Sequence, residues 1–162
     1  MKMTLQALLF ILTLSISAHA YQIIEPELAK EKMPCWAFST SFEEYTEVIG
    51  YSALGHVFMR SPDTNEYIVL HPFKKAAKLY GEFKNAQDFE EKILQELSFK
   101  VFVLDSDRVS EIKERLGVLA KDEIYIPEPY PFLGGDESID SYTKADVWVM
   151  LAIVGEFHGV CS

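Results

Sequence analysis

His56 and His71 are the residues whose type is best suited to chemistry in this chain. An imidazole exchanges a proton near neutral pH and can act as a general base or ligate a metal. Between them lies Ser61-Pro62-Asp63-Thr64-Asn65, strong turn chemistry, so the two histidines fall on facing strands of a hairpin. Two histidines alone make an incomplete metal site, and core or hydrogen-bonded imidazoles are the simpler reading. A small hydrolase using His56 or His71 is the catalytic alternative. It requires that one ring open onto a pocket with a carboxylate or hydroxyl in reach. Ser52 lies in Gly50-Tyr51-Ser52-Ala53-Leu54-Gly55, but a nucleophile elbow needs Gly where Leu54 stands and a helix after the turn. His158 sits near a helix end, where it serves the helix dipole. The acidic pairs Glu43-Glu44, Glu90-Glu91 and Asp136-Glu137 are sequence neighbours, which do not share a helix face. Gly134-Gly135 lacks the Lys and spacing of a phosphate loop, and Asp136, Glu137 and Asp140 follow no EF-hand pattern. No catalytic residue, metal or cofactor is assigned on these grounds.

Cys35 and Cys161 are the only cysteines. Either they form a disulfide between the start of the mature domain and its C-terminus, or they are two free thiols; their separation does not suit a metal site. The chain has 162 residues, 25 Asp and Glu against 15 Lys and Arg, and a formal net charge of -10. That excess argues against nucleic acid as a direct ligand, because phosphate neutralisation needs a basic surface. It suits a soluble exported protein, or one that binds a basic partner.

Residues 1–20 have the make-up of a signal peptide. Lys2 is a positive n-region, Leu5 to Ile16 an apolar run, and Ala18-His19-Ala20 a small-x-small cleavage site. The apolar run is short of the roughly 20 residues a membrane span needs. The alternative is an uncleaved anchor. Cleavage leaves residues 21–162 as a single domain, periplasmic or secreted, with no later run able to span a bilayer; if residues 1–20 do not work as a signal, the protein is cytoplasmic.

The elements that must position these side chains make an α+β fold: a small antiparallel sheet, with its hairpin at about 55–71, packed with three or four helices. Glu25-Pro26 starts a short helix that Pro34 ends. The aromatics that follow, Trp36, Phe38 and Phe42, belong to the core. Residues 45–51 form a strand, and Pro72 stops the second hairpin strand. Residues 73–84, with Lys74, Lys75, Lys78 and Lys84, read as a solvated basic loop, the alternative being a basic patch that contacts a partner. Asn85 caps a helix with Phe89, Ile93, Leu94 and Leu97 at helical spacing. Residues 99–104 are a short strand or a buried connector. Ser106 or Asp105 caps a second helix, 107–116, which Gly117 stops. Ile124 to Ile126 is a short strand. Pro127, Pro129 and Pro131 hold an extended segment that cannot sit inside a sheet, ordered by packing of Tyr130 and Phe132. Gly134-Gly135 reverses the chain, residues 139–143 are extended, and a last helix runs over about 145–157.

Several stretches together resemble one family. They are Gly50-YSALGHVF-Phe58, Glu66-YIVL-Leu70, Asp88-FEEKIL-Leu94, Arg115-LGVLAKDEIYIPEPYPFLGG-Gly135 and Lys144-ADVWVMLAIVGEFHG-Gly159. From about Tyr45 onward the chain is similar to the C-terminal domain of type VI secretion immunity proteins, the group that includes the antidote to a toxic DNase and often follows a GAD-like domain. The resemblance implies a non-enzymatic binding protein that neutralises a cognate toxin by direct contact. It carries over no contact residue. A DNase acts in the cytoplasm, so an exported relative implies a toxin acting in the periplasm instead. The alternative is an exported envelope protein without a toxin partner. For the partner-binding surface, the rigid segment with Glu128 and Tyr130, followed by Asp136 and Glu137, offers acid and aromatic contacts at low entropic cost; Tyr130 and Phe132 are otherwise simply core plugs.

Overall fold

The computed structural model describes residues 20–37 and 43–161. The proposed signal segment, apart from Ala20, and the aromatics Phe38 and Phe42 lie outside the described residues. The fold is α+β. Five antiparallel strands stand in chain order: β1 (Tyr21–Leu28), β2 (Glu47–Ser52), β3 (Val57–Arg60), β4 (Glu66–His71) and β5 (Ala76–Glu82). A separate ribbon pairs β6 (Glu123–Pro127) with β7 (Tyr142–Asp146). The helices are α1 (Ala29–Lys32), α2 (Pro34–Ala37), α3 (Ala86–Phe89), α4 (Leu97–Phe102), α5 (Ser106–Leu116) and α6 (Val147–Phe157).

The runs Val57-Phe58-Met59 and Tyr67-Ile68-Val69-Leu70 are apolar at every position because the sheet is covered on both faces. Successive side chains of a strand point to opposite faces. Val57, Met59, Ile68 and Leu70 therefore join Trp36 and α6 residues Met150, Leu151 and Val154 in one cluster. Phe58, Tyr67 and Val69 join Phe89, Leu94 and Phe99 in the other, with Val109 and Ile112 of α5. The β6–β7 ribbon closes the end of both layers, with Ile124 and Ile126 in the first cluster and Tyr125 in the second.

Five local expectations are corrected. Residues around Glu25-Pro26 form strand β1 rather than a helix. Pairing with β2 slips between Ile23 and Glu27, so Pro26 falls in an irregularity of an edge strand, where its missing N–H is tolerated. Residues 76–82 are edge strand β5 rather than a loop. β5 pairs with β4 through Ile68 opposite Leu79 and Val69 opposite Lys78, but its outward residues are exposed and blur the alternation that marks a strand. Residues 99–102, expected within a short strand or connector over 99–104, belong instead to helix α4, Leu97–Phe102. Glu96 caps it by accepting the Phe99 N–H at 3.1 Å, a local device that overrides the β-preference of Val101 and the aromatics. Pro127 does sit in a sheet: it is the last residue of β6, opposite Tyr142, at the end of a two-stranded ribbon. The chain around Ile139–Ser141 is a single 3₁₀ turn rather than extended, and β7 starts after it.

Other local signals act as expected. Asn85 Oδ1 accepts the Asp88 N–H at 2.9 Å and caps α3, which runs on as a π-helical turn over Glu90–Leu94. Asp146 caps α6 by accepting the N–H groups of Trp148 and Val149. The Gly pair is required by space as much as by conformation: Gly134 has φ +87°, and a Cβ on Gly135 would lie 1.7 Å from the Pro129 carbonyl oxygen. Cys35 and Cys161 are joined with S–S 2.02 Å, tying α2 to the segment after α6 beside the buried Trp36. Trp36 Nε1 donates to the Leu151 carbonyl at 2.9 Å.

A candidate binding cleft

His56 stands just before β3 and His71 ends β4. Val57 pairs with Leu70, so the register brings the two imidazoles face to edge with centroids 4.6 Å apart. Burial, then His71 and Lys74, push His56 down to about 3. Burial, then Lys74 and Lys78, also lower His71. Both rings are therefore neutral at pH 7.

Ser52 Oγ is 3.0 Å from His56 Nδ1, which places a hydroxyl within reach of an imidazole. The same oxygen accepts the N–H groups of Leu54 at 3.2 Å and His56 at 3.0 Å. Ser52 is fully enclosed, with no accessible surface. A nucleophile must reach its substrate, and this hydroxyl instead locks the tight turn between β2 and β3. The only metal-type grouping of three side chains among the described residues is Cys35, Glu156 and Cys161, and the disulfide removes its two thiolates.

The histidines form the floor of a cleft of about 290 Å³. Three further walls enclose it: Phe73 and Lys74 from the turn after Pro72, Phe102 and Val103 at the end of α4, and Pro127, Pro131 and Glu137 from the proline segment. Two arginines of α5 fix the last wall. Arg115 donates to the carbonyls of Tyr142 at 2.8 Å and Asp140 at 3.0 Å. Arg108 donates to the Glu137 carbonyl at 3.2 Å while its Nε pairs with Asp105 at 2.8 Å. A wider hollow of about 430 Å³ lies beside β1, where the Tyr21 hydroxyl donates to Glu90 at 2.7 Å. Burial and Glu90 together raise that phenol to about 12.

The four residues expected to contact a partner stand in different local settings. Glu128 is exposed, beside the cis Glu128-Pro129 bond. Tyr130 is half-buried, its ring 5.3 Å from Phe73 and 5.6 Å from Phe132. Asp136 Oδ1 accepts the Ser138 N–H at 2.9 Å and its hydroxyl at 2.6 Å, which stiffens the turn and lowers the carboxyl. Glu137 alone lines the cleft with the histidines. The sequence marks Lys74 only as one of several lysines of a basic stretch, and it does not mark Phe102, Arg108 or Arg115 for this site. The signal for Phe102 is there in hindsight: Leu97, Val101 and Phe102 are apolar residues on a capped helix whose inner position, Phe99, already supplies the core contact.

Residues 83–158 match the family described as T6SS immunity protein Tdi1, C-terminal. The matched segment runs from Phe83 through α3, α4, α5, the β6–β7 ribbon and α6, and it leaves out the five-stranded sheet; the stretches quoted above from residues 50–70 lie outside it. No curated protein matches the chain. Among solved structures, the crystal structure of Atu4351 from Agrobacterium tumefaciens is similar, with a TM-score of 0.58 at 16% identity over 86% of this chain and 67% of that one. At that identity the likeness establishes a shared fold and nothing of function.

Proposed function

We propose that this protein belongs to the type VI secretion immunity family and neutralises a cognate toxin by direct binding. The match of residues 83–158 to the Tdi1 C-terminal family carries the reading. The physical features agree with it. The cleft has two neutral histidines, a proline-stiffened wall and an exposed aromatic, which suit shape recognition. Its one imidazole–hydroxyl pair is built into a turn. No helix among the described residues is long and apolar enough to cross a membrane. We further propose that residues 1–20 direct export, on the charge and cleavage pattern of that segment, so that the toxin met by this protein acts in the periplasm. Glu128, Tyr130, Asp136 and Glu137 are proposed as contacts along the proline segment, with Tyr130 acting mainly by holding that segment against Phe73.

The deciding experiment is capture with the tagged, mature protein from its own host, grown with secretion active. The expected result is one stoichiometric effector whose toxicity this protein suppresses when exported and does not suppress when residues 1–20 are deleted. A protein recovered without a stoichiometric partner would instead support a role in the envelope unrelated to a toxin. Suppression that persists without residues 1–20 would move the target to the cytoplasm.

A further inference from the structure

We infer that the toxin docks on the ridge formed by α4, with Phe102 entering an apolar pocket of the toxin and carboxylates of the toxin meeting the lysines on either side; this rests on the immunity reading above. Phe102 is 83% exposed, Leu97 74% and Val101 52%. α4 buries Phe99 alone and turns its other apolar side chains outward, the reverse of a helix that serves only the core. Single exposed apolar residues need no explanation, but three on one short helix, one of them a nearly free Phe, make a patch of the kind that anchors protein contacts.

Phe102 stands between two hollows. On one side is the histidine cleft with Lys74. On the other is a hollow of about 380 Å³ that includes Lys78, Tyr80 and Lys92. A ridge flanked by two hollows presents relief in which a shaped protein surface can interlock. A bilayer surface is flat and would leave both hollows unfilled, and a helix of six residues is too short to lie in it as an amphipathic anchor.

Charge identifies the chemistry of the partner. The whole chain is at -10, yet lysines without a carboxylate partner outnumber acids without a cation partner around this ridge. Lys74, Lys78 and Lys100 are exposed and make no ion pair among the described residues, while Lys92 pairs with Asp88 at 2.7 Å. Of the acids near the ridge, Asp105 is paired with Arg108, which leaves Glu96, the cap of α4, and Glu137 across the cleft against the three lysines. Lys78 Nζ lies 4.9 Å from the centroid of the Tyr80 ring, and cations without a carboxylate partner around an apolar centre favour an anionic rim on the partner, which steers encounter and fixes orientation. The toxin face that docks here therefore carries Asp and Glu around an apolar pocket, although the acidity of the whole chain taken alone pointed to a basic partner.

The test uses the effector recovered in the capture experiment, purified and titrated against wild type, Phe102→Ser, the double variant Lys74→Glu/Lys78→Glu, and Phe157→Ser, an exposed aromatic on α6. Circular dichroism and thermal unfolding verify that each variant folds. Phe102→Ser is expected to weaken Kd by about 30-fold or more, the loss typical of a central aromatic anchor. The charge reversal should slow association and flatten its dependence on salt. Phe157→Ser should leave Kd within about threefold. Wild-type affinity in Phe102→Ser, with the effector still bound, would overturn the docking surface and leave the immunity reading standing. Loss in Phe157→Ser alone would move the interface to α6. Flotation of the wild type, but not Phe102→Ser, with phosphatidylglycerol vesicles, together with unchanged effector binding, would assign the ridge to a membrane surface and overturn the inference. Absence of any stoichiometric effector would remove the immunity reading and this surface with it.

Discussion

α4 and α5 are neighbours in the chain, in the same layer against the same face of the sheet, and they use their apolar residues in opposite ways. α5 buries Val109 and Ile112 and exposes Asp107, Glu111 and Glu114. α4 buries Phe99 and exposes Leu97, Val101 and Phe102. The first arrangement is what folding alone requires, since burial of apolar area is the main favourable term. The second leaves apolar area in water and gains nothing for the isolated domain. The contrast separates residues that hold the fold from residues available to a partner, which composition cannot do.

The largest effect that would sharpen this contrast is in the core. Ile112→Ala should lower unfolding free energy by about 2–5 kcal/mol, while Leu97→Ser on α4 should change it by no more than about 0.5 kcal/mol. Urea denaturation of both variants checks this, and comparable losses in the two would erase the distinction between the helices.

Next is the acid response of the cleft floor beside α4. His56 is neutral in the fold, with its value lowered to about 3 from an ordinary 6.5. The unfolded chain therefore binds more protons than the folded one between those values. Stability is complete above pH 6.5 and falls as pH drops toward 3, by up to about 1.4 kcal/mol per pH unit from this group. Urea midpoints at pH 7, 6, 5 and 4 should fall less steeply in His56→Gln than in wild type. Parallel slopes would mean that the cleft floor is open to solvent water.

A smaller effect lies at the entry to the helical run that leads to α4. Asn85→Ala removes the cap from α3 and should cost about 1 kcal/mol, with Asn85→Ser recovering most of it. Thermal unfolding of the two variants reads the difference. The smallest expected effect is at the ridge itself: Phe102→Ser should leave stability within about 0.5 kcal/mol, because its side chain is nearly free in the unbound protein. A loss above about 2 kcal/mol would show that Phe102 serves the fold after all.

Much of this architecture was legible where local chemistry is strong. The turn at residues 61–65, the Asn85 cap, the periodicity of α5 and the Gly134-Gly135 reversal each identify an element through a few adjacent residues. The errors fell where context decides. Residues 76–82 gain strand structure only from β4 beside them, because an edge strand half in water shows little alternation. Residues 97–102 carry β-preferring side chains and become helical through the Glu96 cap and the docking of Phe99. Pro26 reads as a helix starter because nothing local reveals the irregular edge that accommodates it.

The sequence by itself determined the class of fold, the acidic balance, the hairpin that brings His56 to His71 and the family resemblance of the C-terminal half, since all of these follow from residue type and short-range spacing. The tertiary structure decided the rest. It enclosed Ser52 in a turn, divided Glu128, Tyr130, Asp136 and Glu137 among different settings, and used Arg108 and Arg115 to hold one wall of a cleft. It also left Phe102 outside, between Lys74 and Lys78. Exposure and unpaired charge are properties of how distant segments pack. A local pattern of apolar residues reads the same whether a distant segment covers it or leaves it in water.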